Sequence, residues 1–121
     1  MTKEELLKRT KDFALRVIKA VQALPEDRVG DVLGRQLLRC GTSVGANYRA
    51  ACRAKSTADF INKLKIVEEE CDESIYWMEL IVQSGLIRVG RLAKLNAEAN
   101  ELLAITVAAL RTTRASANRK S

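Results

Sequence analysis

The first residues that could do chemistry are two carboxylates, Glu70 and Glu73, three positions apart in a predicted helix. That spacing puts both on one helical face, where paired acids can act as general acid and general base. No activated nucleophile accompanies them, because the chain has no histidine and its three cysteines show no C-x-x-C spacing. The cysteines are expected to be reduced core residues, and no metal or cofactor is expected. A hydrolase built on this pair is a third hypothesis, and the sequence favours a protein without catalytic activity.

A glycine-rich stretch, GTSVGAN at residues 41–47, is a second candidate for chemistry. A phosphate-binding P-loop needs G-x-x-x-x-G-K-[ST] between a strand and a helix, and the lysine is missing here. The stretch also lies inside a run of small and apolar residues spaced alternately by four and three, which is typical of a helix seam. The seam consists of Leu33, Leu37, Cys40, Val44, Asn47, Ala51 and Ala54. The sequence therefore predicts a continuous helix instead of an anion-binding loop.

Four glycines of this predicted helix share one edge beside the seam. They are Gly30, Gly34, Gly41 and Gly45. At 100° per residue they fall within an arc of roughly 60°. Each costs about 1 kcal/mol relative to alanine, a loss that the close approach of another backbone can offset. We predict helix close packing here, against the first or fourth helix of the chain or a neighbouring subunit, with accidental clustering as the alternative.

The far side of the same helix carries a basic stripe. Its members are Arg35, Arg39, Arg49 and Arg53. They span roughly 80° of arc, and no acid occurs between residues 32 and 58. The chain has a net charge of +6, and Arg111 and Arg114 add a basic C-terminal region. A phosphate backbone would bind such a surface without sequence specificity. The alternatives are a solvated face, or pairing with the acids of residues 56–84.

Four helices must position these residues. Their predicted bounds are about 3–24, 27–54, 56–84 and 89–114. Ser56 is expected to cap the third helix with Asp59 as its capping-box acid, and Gly85 to end it. Turns this short favour an all-α, antiparallel up-down-up-down four-helix bundle over residues 1–115. Residues 116–121 are expected to be a frayed basic tail.

The composition agrees with one helical domain. The 121 residues are 47% hydrophobic and 30% charged, with a single proline. No run approaches the roughly 18 apolar residues of a membrane span, and the N-terminus is charged from its third residue. We therefore expect a cytoplasmic protein.

The third predicted helix has its own seam and an outer face rich in acids. The seam consists of Phe60, Leu64, Val67, Cys71, Ile75, Met78 and Val82. A turn near residue 55 would pair it with the second helix, matching Cys40 with Cys71. Trp77 shares a face with Glu70 and Glu73, and we interpret it as an exposed interface anchor. The alternative is that Trp77 covers the fourth helix.

Residues 33–81 contain four words that together resemble a bacterial family. The words are SVGANYR, KSTADF, KLKIVEE and DESIYWMEL. Their combination resembles the four-helix-bundle proteins associated with intervening sequences in 23S ribosomal RNA genes. The combination is specific, whereas each word alone is not.

This resemblance implies an up-down-up-down bundle that assembles into a homopentameric ring and has no established enzymatic activity. The related accessory variability proteins of diversity-generating retroelements are similar in fold, and are basic pentamers that bind nucleic acid and a reverse transcriptase. The matching positions are expected to be structural or to lie in a subunit interface. They are Asn47, Tyr48, Arg49, Glu70, Glu73 and Trp77. The family commonly has an acid after NYR, and Ala50 in its place leaves Arg49 and Arg53 less neutralised.

Two functional hypotheses follow. The first is a non-catalytic oligomer that binds RNA or DNA non-specifically through the arginine stripe and the basic C-terminal region. The alternative is a protein-interaction scaffold, whose ring docks a partner enzyme such as a reverse transcriptase while the arginines pair with acids between subunits. Neither involves a membrane.

Overall fold

The computed structural model describes residues 1–120, with only the backbone described for Lys120. Its four helices are α1 (Lys3–Gln22), α2 (Arg28–Cys52), α3 (Thr57–Gln83) and α4 (Val89–Lys120). The described residues contain no strand, so the predicted all-α fold of four helices is confirmed. Residues 41–47 are helical throughout, which excludes an anion-binding loop at GTSVGAN.

The first three helices begin at side chains that accept hydrogen bonds from their own first turns. Thr2 caps α1 and Asp27 caps α2. Ser56 caps α3 as predicted, accepting from the N–H of Asp59 at 3.0 Å. The Asp59 carboxylate accepts from the N–H of Lys55 at 3.1 Å, so it reaches the residue before the cap instead of the cap itself. Each cap stabilises its helix by about 1 kcal/mol.

Helix α3 ends at Gln83, and the predicted stop, Gly85, lies two residues beyond. Gly85 has a φ of 82°, a left-handed conformation that costs glycine little. The N–H of Gly85 donates to the carbonyl of Val82, and the N–H of Leu86 donates to the carbonyl of Ile81. These two bonds form a Schellman motif, which satisfies the last carbonyls of α3 and turns the chain toward α4.

The helices pack in a ring of four neighbours. Helix α1 contacts α2 and α4, and α3 contacts the same two, while the described helices on opposite corners make no close backbone contact. A single core fills the centre, and its largest fully buried side chains are Phe13, Leu37, Leu64, Met78, Ile81, Leu102 and Leu110. One shared core of this kind is what an amphipathic four-helix bundle requires.

The buried stripe of α3 differs from the predicted seam at three positions. One is Phe60, which is half-buried. Ser74 and Ile81 are fully buried, whereas the predicted Ile75 and Val82 are only half-buried. Ser74 is tolerated because its hydroxyl donates to the backbone carbonyl four residues earlier and contacts the Cys40 thiol at 3.3 Å. Apolar pattern alone missed Ser74 because the residue is polar.

The C-terminal residues differ from the predicted frayed tail. Helix α4 continues through residues 116–120 instead of ending near Arg114, and Ser121 lies outside the described residues. The segment contains neither glycine nor proline, so nothing in it stops a helix. Small and polar composition was therefore a poor indicator of fraying.

The glycine edge of α2 lies against α1 and the turn that follows it. The edge consists of Gly30, Gly34, Gly41 and Gly45. A Cβ on Gly41 would lie 2.8 Å from both methyl carbons of Val17, and a Cβ on Gly45 would lie 3.2 Å from the carbonyl oxygen of Thr10. Of the partners considered above, the first helix of the same chain is the one that occupies this edge.

Replacing Gly41 with alanine is expected to destabilise the fold by about 1–3 kcal/mol, because the buried, β-branched Val17 has no room to move aside. The matched control is Gly90→Ala, since a Cβ at Gly90 meets no atom within 4 Å. Alanine at Gly90 should leave stability unchanged or raise it slightly. Chemical denaturation followed by circular dichroism measures both, and equal stability of the two variants would contradict the close packing.

Arg9 joins α1 to α4 through two carboxylates. Its Nε donates to Glu98 at 3.0 Å, and its Nη2 donates to Glu101 at 2.8 Å. The hydrogen bond from Arg9 lowers the pKa of Glu98, against the opposing effect of partial burial. Because the Glu98 side chain is only 15% exposed, this ion pair is shielded from much of the screening that weakens surface pairs.

Replacing Glu98 with glutamine should lower the free energy of unfolding at neutral pH by about 1–2 kcal/mol, because a charge-assisted bond is lost. The folded-state pKa of Glu98 lies below its unfolded value. Its contribution is therefore present above the unfolded value and is lost as pH falls through the folded one. Urea titrations across this range should show the difference shrinking in acid. Glu101→Gln, at a 67% exposed side chain, is the control and should cost less.

Candidate nucleic-acid interface

The outer face of α2 carries the four predicted arginines, which differ in their positions along the helix and in their ion pairs. All of them are exposed: Arg35, Arg39, Arg49 and Arg53. Arg39 lies mid-helix and is paired with acids of the same chain. Arg49 lies in the last turn of α2, and Arg53 is its C-cap. The stripe is therefore not a uniform row of free charges.

Arg39 binds both carboxylates singled out by the sequence. Its Nη2 lies 2.8 Å from Glu73, and its Nη1 lies 3.4 Å from Glu70. The hydrogen bond to Glu73 raises the pKa of Arg39. Burial raises the pKa of Glu70, and the charge of Arg39 opposes that shift. In the single chain these two acids, predicted to lie at a subunit interface, thus link α2 to α3.

The two arginines at the end of α2 make no ion pair with any described residue. They separate two grooves. A groove of about 510 Å³ between α1 and α2 also includes Lys3 and Lys11. A groove of about 660 Å³ between α2 and α3 also includes Lys55 and Lys63. We call the six cations the basic patch: Lys3, Lys11, Arg49, Arg53, Lys55 and Lys63.

The basic patch is short of acids. Asp59 is the single acid among the residues lining the two grooves, and its carboxylate accepts from the backbone of Lys55. Cations at Arg49 and Arg53 also interact favourably with the C-terminal end of the α2 dipole. Clustered, uncompensated cations on a surface raise the local concentration of polyanions.

Sequence reasoning missed the four lysines of the patch. Lys3 and Lys11 share a face with Leu7 in a spacing of four, which was a usable signal for one helical surface. Their position beside Arg49 and Arg53 follows from the packing of α1 on α2, which the stripe argument did not use. Lys55 and Lys63 join the patch through the turn between α2 and α3.

The other residues predicted to bind nucleic acid do not line the grooves of the basic patch. Arg35 lines a separate groove near the start of α2, together with Glu26 and Asp31. Arg111 and Arg114 are exposed on α4, and neither lines the two grooves of the basic patch. Their role in binding stays a prediction.

Within the single chain, two of the residues predicted for a subunit interface pack in or against the core. Tyr48 is only 8% exposed and burial raises its pKa, so it takes the core position that the seam had given to Asn47. Asn47 is half-buried and donates to the carbonyl of Ser43 at 2.8 Å. Trp77 is half-buried against the core instead of exposed, and its indole N–H has no hydrogen-bond partner among the described residues.

The exposed aromatic residue of α3 is Tyr76. It is 53% exposed and meets Trp77 edge to face, with ring centroids 5.1 Å apart. Exposed acids lie around it along the outer face of α3: Glu69, Asp72 and Glu79. Sequence reasoning expected Trp77 to be the exposed ring of this pair, whereas in the single chain Tyr76 is the more exposed one. A subunit interface at Trp77 stays a prediction.

The three cysteines are free thiols in different settings. Cys40 and Cys71 are fully buried, and burial raises the pKa of Cys71 to about 12. Cys52 is half-buried and lines the groove between α1 and α2. Within the described range, no three side chains of histidine, cysteine, aspartate or glutamate converge as metal ligands.

Together, the fold and this surface define a helical-bundle protein with a basic patch at the end of its second helix. The chain belongs to the 23S rRNA-intervening sequence protein family, whose model matches residues 2–108. The family resemblance drawn from the four sequence words is thereby confirmed. None of the described helices is both long enough and apolar enough to cross a membrane.

A solved structure supports the same assignment. It is the crystal structure of a protein of unknown function from the S23 ribosomal protein family of Bacteroides thetaiotaomicron. It is similar to this chain with a TM-score of 0.85 and 32% sequence identity, over 92% of this chain and 99% of that one. The comparison with curated proteins finds no match.

Proposed function

We propose that this protein is a non-catalytic, oligomeric bundle that binds RNA or DNA through the phosphate backbone, without sequence preference. The observation that supports this function best is the basic patch, where six cations surround two grooves and Arg49 and Arg53 have no acid partner. Arg111 and Arg114 are taken to add to the same positive field. Backbone contacts of this kind give affinity and register but read no bases.

The use of the acids supports a non-catalytic role. Glu70 and Glu73, the pair that could have served acid–base chemistry, both bind Arg39. Their ion pairs with Arg39 support a structural role, in which they hold α2 to α3. The family resemblance carries no catalytic motif to set against this interpretation.

We further propose the up-down-up-down antiparallel order and a homopentameric ring. Short connections between long helices support the antiparallel order. So does the packing of α2 on α1, where Gly34, Gly41 and Gly45 lie beside Val21, Val17 and Thr10 in turn. The ring rests on the family resemblance. Five copies would present five basic patches, and such repetition converts a weak contact into useful avidity.

A protein-interaction scaffold is the second candidate. The observation that favours it is Tyr76, an exposed aromatic residue on the acidic face of α3. Such a face fits a basic protein partner, such as the reverse transcriptase bound by related proteins. The scaffold hypothesis has the arginines pair with acids of a neighbouring subunit. Arg39 does not need such a partner, because it already pairs with two acids of its own chain.

Arg49→Gln and Arg53→Gln should each weaken binding of a fluorescent oligonucleotide and reduce the salt slope by about one. Arg39→Gln removes the same charge from the same helix, and should change the slope little because Arg39 is already paired. Fluorescence anisotropy at a series of salt concentrations measures all three. A wild-type affinity that does not depend on salt would falsify the proposed function.

Light scattering should give five times the chain mass, with and without a short RNA. In the nucleic-acid hypothesis, the double variant Arg49→Glu/Arg53→Glu keeps the oligomer and loses RNA binding, and Arg39 is left intact because it holds α2 to α3. In the scaffold hypothesis, the same variant breaks assembly. A monomeric wild-type protein would rule out the ring.

A further inference from the structure

We propose that the groove between α1 and α2 holds one single strand of nucleic acid, with its phosphates on Lys3, Lys11, Arg49 and Arg53. This inference rests on the proposed function and deepens it. It selects one of the two grooves of the basic patch, and it selects a single strand over a duplex.

The charge arrangement of this groove carries the first step. Lys3 and Lys11 form one bank on α1, and Arg49 and Arg53 form the other on α2. All four side chains are exposed, and none makes an ion pair with a described residue. No acid lines the groove. A polyanion lying between the banks would therefore meet cations on both sides.

The floor of the groove carries the second step. Gly45 contributes no side chain, because α1 approaches there so closely that a Cβ would lie 3.2 Å from the Thr10 carbonyl oxygen. The Thr10 and Thr42 hydroxyls donate within their own helices, at 2.9 and 2.7 Å. The rest of the floor is small or apolar, as with Leu7 and Ala14, and none of the lining residues is aromatic. This floor offers no stacking platform and no free donor to read bases, which leaves the backbone as the recognised feature.

The shape of the groove carries the third step. The axes of packed helices lie about 8–10 Å apart, so the furrow between their side chains is narrower than a duplex and admits at most one strand. A duplex is convex, and its two strands face each other across grooves about 6 or 12 Å wide. It could touch the rim of the protein groove but could not enter it. Lys3 and Lys11 are separated by about 12 Å along α1, which is enough for a few consecutive phosphates.

The first experiment compares two charge reversals of equal size. Lys3→Glu/Lys11→Glu alters this groove, and Lys55→Glu/Lys63→Glu alters the groove between α2 and α3. An oligodeoxythymidylate of about 12 nucleotides is the probe, within the site sizes of single-strand binders. The first variant should bind about tenfold more weakly than the second at equal salt. Lys3→Glu lies in the first turn of α1, where an acid favours the helix, so the variant is expected to fold.

An equal loss in both variants would overturn the groove proposal and leave general binding by the patch intact. A wild-type affinity that does not change with salt concentration would instead contradict the proposed function itself. Tighter wild-type binding to the same sequence annealed into a duplex would overturn the choice of a single strand.

The second experiment uses Cys52 as a reporter inside the groove. Cys52 is half-buried there, while the other two thiols are fully buried. Saturating oligodeoxythymidylate should slow maleimide labelling of the native protein several-fold, and the duplex should slow it less. Cys52→Ala should abolish the fast labelling and serves as the control.

If Cys52 is labelled at the same rate with and without bound oligonucleotide, the strand does not lie in this groove. A Cys52 thiol that is unreactive before any nucleic acid is added would show that the groove is closed in the assembly. Either result overturns the proposal.

Discussion

The close approach of α1 to the glycine edge of α2 is the constraint on which the rest of the structure depends. Four glycines in one helix cost about 4 kcal/mol of helix propensity, and packing against α1 is what offsets that loss. The contacts of Gly41 with Val17 and of Gly45 with Thr10 fix both the distance and the register of the two helices. The same register sets Lys3 and Lys11 beside the last turns of α2, so core packing determines where surface charges meet.

The distribution of acids along α3 determines which arginines remain free. Its first ten residues contain one acid, Asp59, and six more follow from residue 68 onward. Arg39 lies opposite that later segment and is bound by Glu70 and Glu73. The arginines at the end of α2 border the start of α3, where lysines occur instead. One helix of uneven charge thus separates an ion-paired region from a basic one.

The sequence predicted the elements well because their signals are local. Helix periodicity, the Ser56 cap and the Gly85 stop each depend on a few neighbouring residues, and all are observed. The errors lie where tertiary contacts decide. Ser74 is buried because Cys40 and its own helix satisfy its hydroxyl, and Trp77 is covered by packing that no local pattern encodes. The arginines of the basic stripe differ in their partners for the same reason, since the pairing of Arg39 requires a second helix.

The packing that holds the bundle together also limits what its surface can recognise. A base-reading groove needs donors, acceptors or aromatic rings on its floor. Such side chains at Gly45 would hold α1 and α2 apart, because the floor there is the backbone of Thr10. The fold therefore leaves charge on the rim as the available means of recognition. If the proposed function holds, a glycine-packed pair of helices with basic rims should bind nucleic acid in a way that is indifferent to sequence and sensitive to salt.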